Sequence, residues 1–287
     1  MKTIHTNNQY MRKHIAFFIF MMLLLLILFG KANAQEIQNI SKSSSYFRFG
    51  FGYGFPSASQ MLGANSTYTS STMSSTSREE GVYGSLGSGF TFNSSYVHMY
   101  SKNIGLDVSL QYLWGKKYES TSTSSFEGTT NTYKSKISSR GLLFGPSLIA
   151  MIGEGKVKPY VQVGLTLGNV KVSGEAGSAN FKSTTEYRGG LSIGFKGGFG
   201  IDVPIGEKTN FFTELVFTSM SYYPKEGTAT YSNGSSQQKI AFAREVTSTY
   251  NFSSPSNPDS SKELRMSMPF GSIALNVGLK LLLKKKA

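Results

Sequence analysis

The chain has no cysteine, one tryptophan and three histidines in 287 residues. Without cysteine there are no disulfides, no thiolate metal sites and no thiol nucleophile. His5 and His14 fall in an N-terminal segment that reads as an export leader, so a processed chain would keep only His98. One histidine cannot make a histidine metal cluster, and His98 is expected in a link between strands, away from any nucleophile. Acidic residues are also few, 16 against 29 Lys+Arg. A basic balance can mean nucleic acid. Here the basic residues are scattered among serines in an exported chain, so no nucleic-acid partner is expected. The glycine-rich pieces GSGF and GEGK lack the spacing and the strand-to-helix setting of a phosphate loop. Asp107 and Glu214 could form an acid/base pair, but a satisfied salt bridge is the reading taken. The chain is therefore expected to be no enzyme, with no catalytic, cofactor-binding or metal residues and no cofactor.

Residues 1–14 carry Lys2, Arg12 and Lys13 and no acid, and Ile15–Phe29 is an unbroken apolar run. At 15 residues this run is short of the ~20 that a spanning helix needs. It leads into KANAQ, with Ala32 and Ala34 at the small-residue positions of a cleavage site. The pattern predicts a signal peptide over 1–34, cleaved after Ala34. A short periplasmic segment over 35–44 would follow, then a membrane domain over 45–283 and a basic tail over 284–287.

What is abundant is period-two alternation. In the last segment, 271–281, Ile273, Leu275, Val277, Leu279 and Leu281 share one face, and Ser272, Ala274, Asn276, Gly278 and Lys280 share the other. An oily face opposite a small or polar one is the pattern of a strand with lipid outside and a polar lumen inside. Seven more segments read the same way, over about 45–55, 81–92, 104–114, 141–151, 160–170, 187–203 and 211–222. In the second, Val82, Leu86, Phe90 and Phe92 are in phase. In the fourth, the phase is unclear around Pro146, which suggests a bulge or bend.

The links after strands one, three, five and seven are long and Ser/Thr-rich, covering about 56–80, 116–139, 171–186 and 223–263. Those after strands four and six are short, and the one after strand two, about Asn93 to Asn103, is intermediate. Outer-membrane barrels sort their connections this way, and sheet edges cannot stay unpaired in hydrocarbon. The expected fold is all-β, an eight-stranded antiparallel transmembrane meander β-barrel with long extracellular loops, short periplasmic turns and both termini periplasmic. Residues 239–250 alternate partially and could extend the last hairpin above the membrane.

Eight strands enclose a space that side chains can fill. Arg48, Asp107, Arg188, Lys196, Asp202, Glu214 and Lys280 are read as inward-facing charges that pair across the lumen. Glu214 is expected to pair with Arg48, Lys196 or Lys280. Phe55, Tyr112, Trp114, Tyr222 and Tyr223, at strand ends, are read as membrane-girdle aromatics.

Several stretches together resemble a known class. They are the leader ending ANAQ, FRFGFGYGFP, RGLLFGPSL at 140–148, KPYVQVGLTLG at 158–168, GGFGIDVPIGEKTNFFTELVF at 197–217 and FGSIALNVGLKLLL. The chain resembles the small eight-stranded outer-membrane β-barrel domain proteins of Gram-negative bacteria, particularly the Bacteroidota porin-family group. It differs in running on to Lys284, Lys285, Lys286 and Ala287. The resemblance implies an integral protein of the cell outer membrane, folded by the barrel assembly machinery, often with no assigned activity. Its expected surroundings are outer-membrane lipid and lipopolysaccharide, with a possible extracellular ligand of the loops, and it is expected to be monomeric. The functional expectation is non-enzymatic display of Ser/Thr-rich surface loops in a structural, adhesive or envelope role. The alternatives are a narrow channel for small solutes or apolar molecules and, more weakly, an outer-leaflet lipid-modifying enzyme.

Overall fold

The structure is a computed structural model that describes residues 45–72, 74–153, 156–179, 181–231, 237–243, 262–264 and 266–283. The expected leader, the segment 35–44 and the tail 284–287 lie outside these, as do residues 244–250 of the partially alternating stretch.

The described chain is all strand and turn. Its strands are β1 (Ser45–Pro56), β2 (Gln60–Ser70), β3 (Ser75–Gly84), β4 (Gly89–Met99), β5 (Ile104–Gly115), β6 (Tyr118–Phe126), β7 (Thr129–Met151) and β8 (Lys158–Ser178). They continue as β9 (Phe181–Arg188), β10 (Ser192–Pro204), β11 (Thr209–Tyr222), β12 (Glu226–Tyr231), β13 (Gln237–Ala243), β14 (Lys262–Leu264), β15 (Met268–Pro269) and β16 (Ser272–Leu282). Eight of these close a ring in the order β1, β4, β5, β7, β8, β10, β11, β16 and back to β1, every pairing antiparallel. Each ring strand pairs with its predecessor and successor, which makes the ring a meander. β16 closes it on β1 from Tyr46↔Leu282 to Pro56↔Ser272.

Alternation decides which side chains face out. Phe47, Phe49, Phe51, Leu110, Val161, Val163, Ile193, Phe195, Phe199, Leu215, Phe217, Leu275 and Leu279 are all exposed, while their neighbours along each strand are buried or half-buried. A closed ladder with a continuous apolar exterior is stable where that exterior meets hydrocarbon. The protein is a transmembrane β-barrel of the outer-membrane type.

Two strand assignments and one expected bulge need correction. The second ring strand is Gly89–Met99, not 81–92, and only the four residues 100–103 separate it from β5. Val82 belongs to the β2–β3 hairpin, Leu86 is completely buried, and only Phe90 and Phe92 of the in-phase set face outward on β4. His98 therefore lies within a strand, with Nδ1 2.9 Å from Ser45 Oγ, and not in a link. The sixth strand begins at Ser192. Gly189 and Gly190 adopt φ of 75° and 85°, a left-handed backbone that glycine tolerates, and they break the ladder between β9 and β10. At Pro146 there is no bulge. The β7–β8 ladder skips Gly145 and Pro146 and resumes in the same register, from Phe144↔Leu167 to Ser147↔Gly164. A proline can be carried because its missing N–H removes one ladder bond without shifting the chain.

The connections at one end of the ring are short, four residues over 100–103 and four over 205–208. At the opposite end, here the loop end, the connections expected as loops are largely strand. β7 and β8 run on beyond the ring, and β6, β2 and β3 add to the β7 side while β9, β12, β13 and β14 add to the β8 side. The β2–β6 and β13–β14 pairings are parallel. The result is an outer sheet of Ser/Thr-rich strands continuous with the barrel wall.

Candidate functional site: the lumen charge network

The ring's interior is layered. At the turn end, Tyr46, Val97, Met99, Ile149 and Tyr160 form a buried apolar cluster. At the loop end, Leu86, Leu113, Leu143, Val170, Met220, Tyr222 and Phe270 form another. The second cluster is capped by an inturned segment, Ser85–Ser88. Leu86 N–H donates to the Pro269 carbonyl at 2.9 Å, the Ser139 hydroxyl donates to the Leu86 carbonyl at 2.5 Å, and Ser88 Oγ lies 2.6 Å from Tyr118 Oη.

A charge network adjoins the turn-end cluster, with Tyr46 and Tyr160 shared between the two. Arg48, Asp107, Lys196, Asp202, Glu214 and Lys280 are all buried, three cations against three carboxylates. Each stands on the inward phase of its strand. Arg48 Nη2 lies 2.5 Å from Glu214 Oε2, and Arg48 Nη1 3.5 Å from Asp107 Oδ2. The Tyr160 hydroxyl donates to Glu214 Oε2 at 2.9 Å, Gln162 Nε2 donates to the same oxygen at 3.3 Å, and Asn276 Nδ2 donates to Oε1 at 3.1 Å. Lys280 Nζ lies 2.5 Å from Asp202 Oδ2, and Lys196 Nζ donates to Ser109 Oγ at 2.9 Å. Three rings lie against the cations: Phe212 and Tyr160 are 4.1 and 5.0 Å from the Arg48 guanidinium carbon and Tyr46 is 3.9 Å from Lys280 Nζ, measured to ring centroids.

Glycines make this packing possible. Gly50 lies against the Phe212 ring and Gly52 against Asn276, at positions where a Cβ would displace the partner. A cavity of ≈ 30 Å³ lies beside Asn93, Asp107, Gln162 and Lys196. That is room for about two waters. Among the described residues, Asn93 Nδ2, Asp107 Oδ1 and Gln162 Oε1 have no hydrogen-bond partner.

Six of the seven charges named from the sequence come together in the lumen. The seventh, Arg188, does not. It lies on β9 beyond the glycine break, its side chain is 45% exposed, and its guanidinium is 3.6 Å from Glu186. Glu214 pairs with Arg48, while Lys280 takes Asp202 instead. Among the strand-end aromatics, Phe55, Tyr112, Trp114 and Tyr223 are exposed. Tyr222 is not: it is completely buried in the loop-end cluster, edge-on to Phe270 with ring centroids 5.9 Å apart, and its hydroxyl donates to the Gly189 carbonyl. Its position shares the phase of Glu214, eight residues earlier, so it must face in. The tyrosine that does join the charge network, Tyr160, was readable by the same rule, because it shares the inward phase of Gln162. Among the described residues no group of three or more His, Cys, Asp or Glu side chains could hold a metal ion.

No protein-family model and no curated protein matches the chain. Among solved structures it is similar to the outer membrane protein OprG from Pseudomonas aeruginosa, at 10% identity and a TM-score of 0.42, covering 86% of this chain and 99% of that one. A more distant likeness is to the outer membrane protease OmpT from Escherichia coli, at 6% identity and a TM-score of 0.23, covering 84% of this chain and 96% of that one. The barrel assignment rests on the chain's own closed ladder and its apolar exterior.

Proposed function

We propose that this chain is a non-enzymatic barrel of the outer membrane that displays its Ser/Thr-rich outer sheet at the cell surface, in an adhesive or envelope role. The observation that carries the reading is the arrangement along the barrel axis. Two apolar layers and a balanced charge network occupy the lumen, beneath an external sheet far larger than ring closure requires. In this reading residues 1–34 are removed on export, both termini and the short turns are periplasmic, and the barrel assembly machinery inserts the chain as a monomer among lipopolysaccharide. Its relatives would be the Bacteroidota barrels its motifs resemble. Phe55, Tyr112, Trp114 and Tyr223 would anchor the outer face at the lipid headgroups, and the six lumen charges would serve structure rather than chemistry.

The absence of cysteine supplies the test. Ser124→Cys, on an exposed position of β6, introduces a single thiol. On intact cells it should react with a membrane-impermeant maleimide, whereas a cysteine at Asn103, in a short turn, should react only after lysis. The reverse pattern overturns the display reading. In planar bilayers the protein should give no discrete unit conductance. A reproducible conductance step would favour the narrow channel.

A further inference from the structure

The outer sheet curves over the loop end of the barrel and leaves a trough of ≈ 230 Å³ on its inner face. Its floor includes Leu62, Ile137 and Tyr187, half-buried side chains that pack on the loop-end apolar cluster. Its walls carry the hydroxyls of Ser120, Ser135 and Thr185. Ser120 Oγ and Ser135 Oγ are 2.6 Å apart. The trough is blind, because the cluster beneath it is buried and the inturned Ser85–Ser88 segment caps the lumen. Whatever enters it is held and not passed on.

The chemistry of the lining narrows the occupant. Glu119, Lys136 and Glu175 border the trough, yet they alternate with the inward residues on β6, β7 and β8 and are exposed. Glu119 and Lys136 satisfy each other at 2.8 Å on that outward side. No charged side chain is therefore offered inward by these strands, which disfavours an ionic ligand. A purely apolar ligand would leave unmet the bonding capacity that the Ser120 and Ser135 hydroxyls do not spend on each other. Serine and threonine hydroxyls donate and accept alike and rotate to suit. A sugar ring presents the same pairing of properties, a C–H face for an aromatic floor and hydroxyls that both donate and accept.

We infer that the trough is a binding site for one unit of a neutral saccharide. The Tyr187 ring would take the C–H face of the sugar, and Ser135 and Thr185 would bond its hydroxyls. This deepens the display reading and depends on it for biological meaning, since the site must face outside the cell to meet a glycan.

The test uses the full mature chain refolded in detergent micelles, titrated with methyl glucoside, methyl galactoside and N-acetylglucosamine and followed by NMR on a methyl-labelled isoleucine, Ile137. Glucuronate and indole serve as charged and apolar comparators. Saturable binding of at least one neutral sugar is expected, with a dissociation constant of about 1 mM. Tyr187→Ala should weaken it about tenfold, and Ser135→Val and Thr185→Val about threefold each. Retained heat-modifiable migration on unheated gels shows that each variant is folded. If Tyr187→Ala does not fold, the two hydroxyl variants decide. The inference is overturned if no neutral sugar saturates, if indole binds and the sugars do not, or if binding is indifferent to the folded variants. Because the micelle titration does not depend on orientation in a cell, its failure is separable from failure of the maleimide labelling.

Discussion

Replacing Glu214 with leucine removes the anion that four donors share. Arg48, Tyr160 and Gln162 all reach Oε2 and Asn276 reaches Oε1. Leucine fills nearly the same volume, so the cavity contribution is small. What remains is a buried guanidinium whose other carboxylate, Asp107, stands at the longer distance of 3.5 Å. Removing one partner of a buried pair costs about 3–5 kcal/mol, because the survivor keeps its desolvation penalty and loses its counter-charge. Arg48→Met with Glu214→Leu removes one charge of each sign and leaves the lumen balanced. The double variant should therefore lose clearly less than the sum of the two single changes, with a coupling of about 1–3 kcal/mol. Trp114 supplies the assay, being the single tryptophan and lying 70% exposed on the lipid face. Its emission shifts when the barrel leaves lipid, so urea titrations in vesicles give the four stabilities of the cycle. Glu214→Leu within about 1 kcal/mol of the parent, or strict additivity in the cycle, would refute the view that this pair holds the lumen together.

Other outcomes follow from the same geometry. Leu215, one residue on, faces lipid, so Leu215→Arg should cost about 2–4 kcal/mol near the bilayer centre and Leu215→Glu less; refolding yield into vesicles measures it, and tolerance of both would reverse the register of β11. Gly190→Val forces a β-branched residue into a left-handed conformation, with its Cβ against the Tyr223 carbonyl. It should cost about 1–3 kcal/mol by urea titration. In the outer sheet, the hydrogen bond from Lys136 holds the Glu119 carboxyl below the ordinary glutamate range. The ion pair is thus intact above that range and is lost as pH falls through the lowered value, and Lys136→Gln should move the carboxyl back up in a carbon-13 NMR titration.

The ring strands were legible where their outward phase is unbroken. β1, β5, β11, β16 and the ring part of β8 read correctly because lipid demands apolar side chains at every second position, and the inward Arg48, Asp107, Gln162, Glu214 and Lys280 follow from parity alone. The signal failed where the lumen itself turns apolar. On β4, Val97 and Met99 face inward to seal the turn end, so the second half of that strand reverses the expected pattern and read as a link. Leu86 sits in phase with Phe90 yet caps the lumen, which drew the strand's start too early. The outer strands were invisible for another reason. With water on one or both faces they need no apolar alternation, and a run such as STSTSS carries only the modest strand preference of threonine. The trough could not be read because its walls come from separate loops whose pairing, including the parallel β2–β6 ladder, no local pattern encodes.

The β7–β8 ladder keeps one register from Met151↔Tyr160 at the turn end to Lys134↔Gly177 in the outer sheet. At about 3.3 Å per residue, the 23 residues of β7 extend about 75 Å, against a hydrocarbon core of about 30 Å. The hairpin therefore acts as a mechanical tie. Tension on the outer sheet along these strands loads their ladder bonds together in shear, and unzipping one bond at a time would require a pull across the strands. A load taken up by the outer sheet is delivered along the hairpin into the wall of the closed ring, where the hydrocarbon resists its extraction.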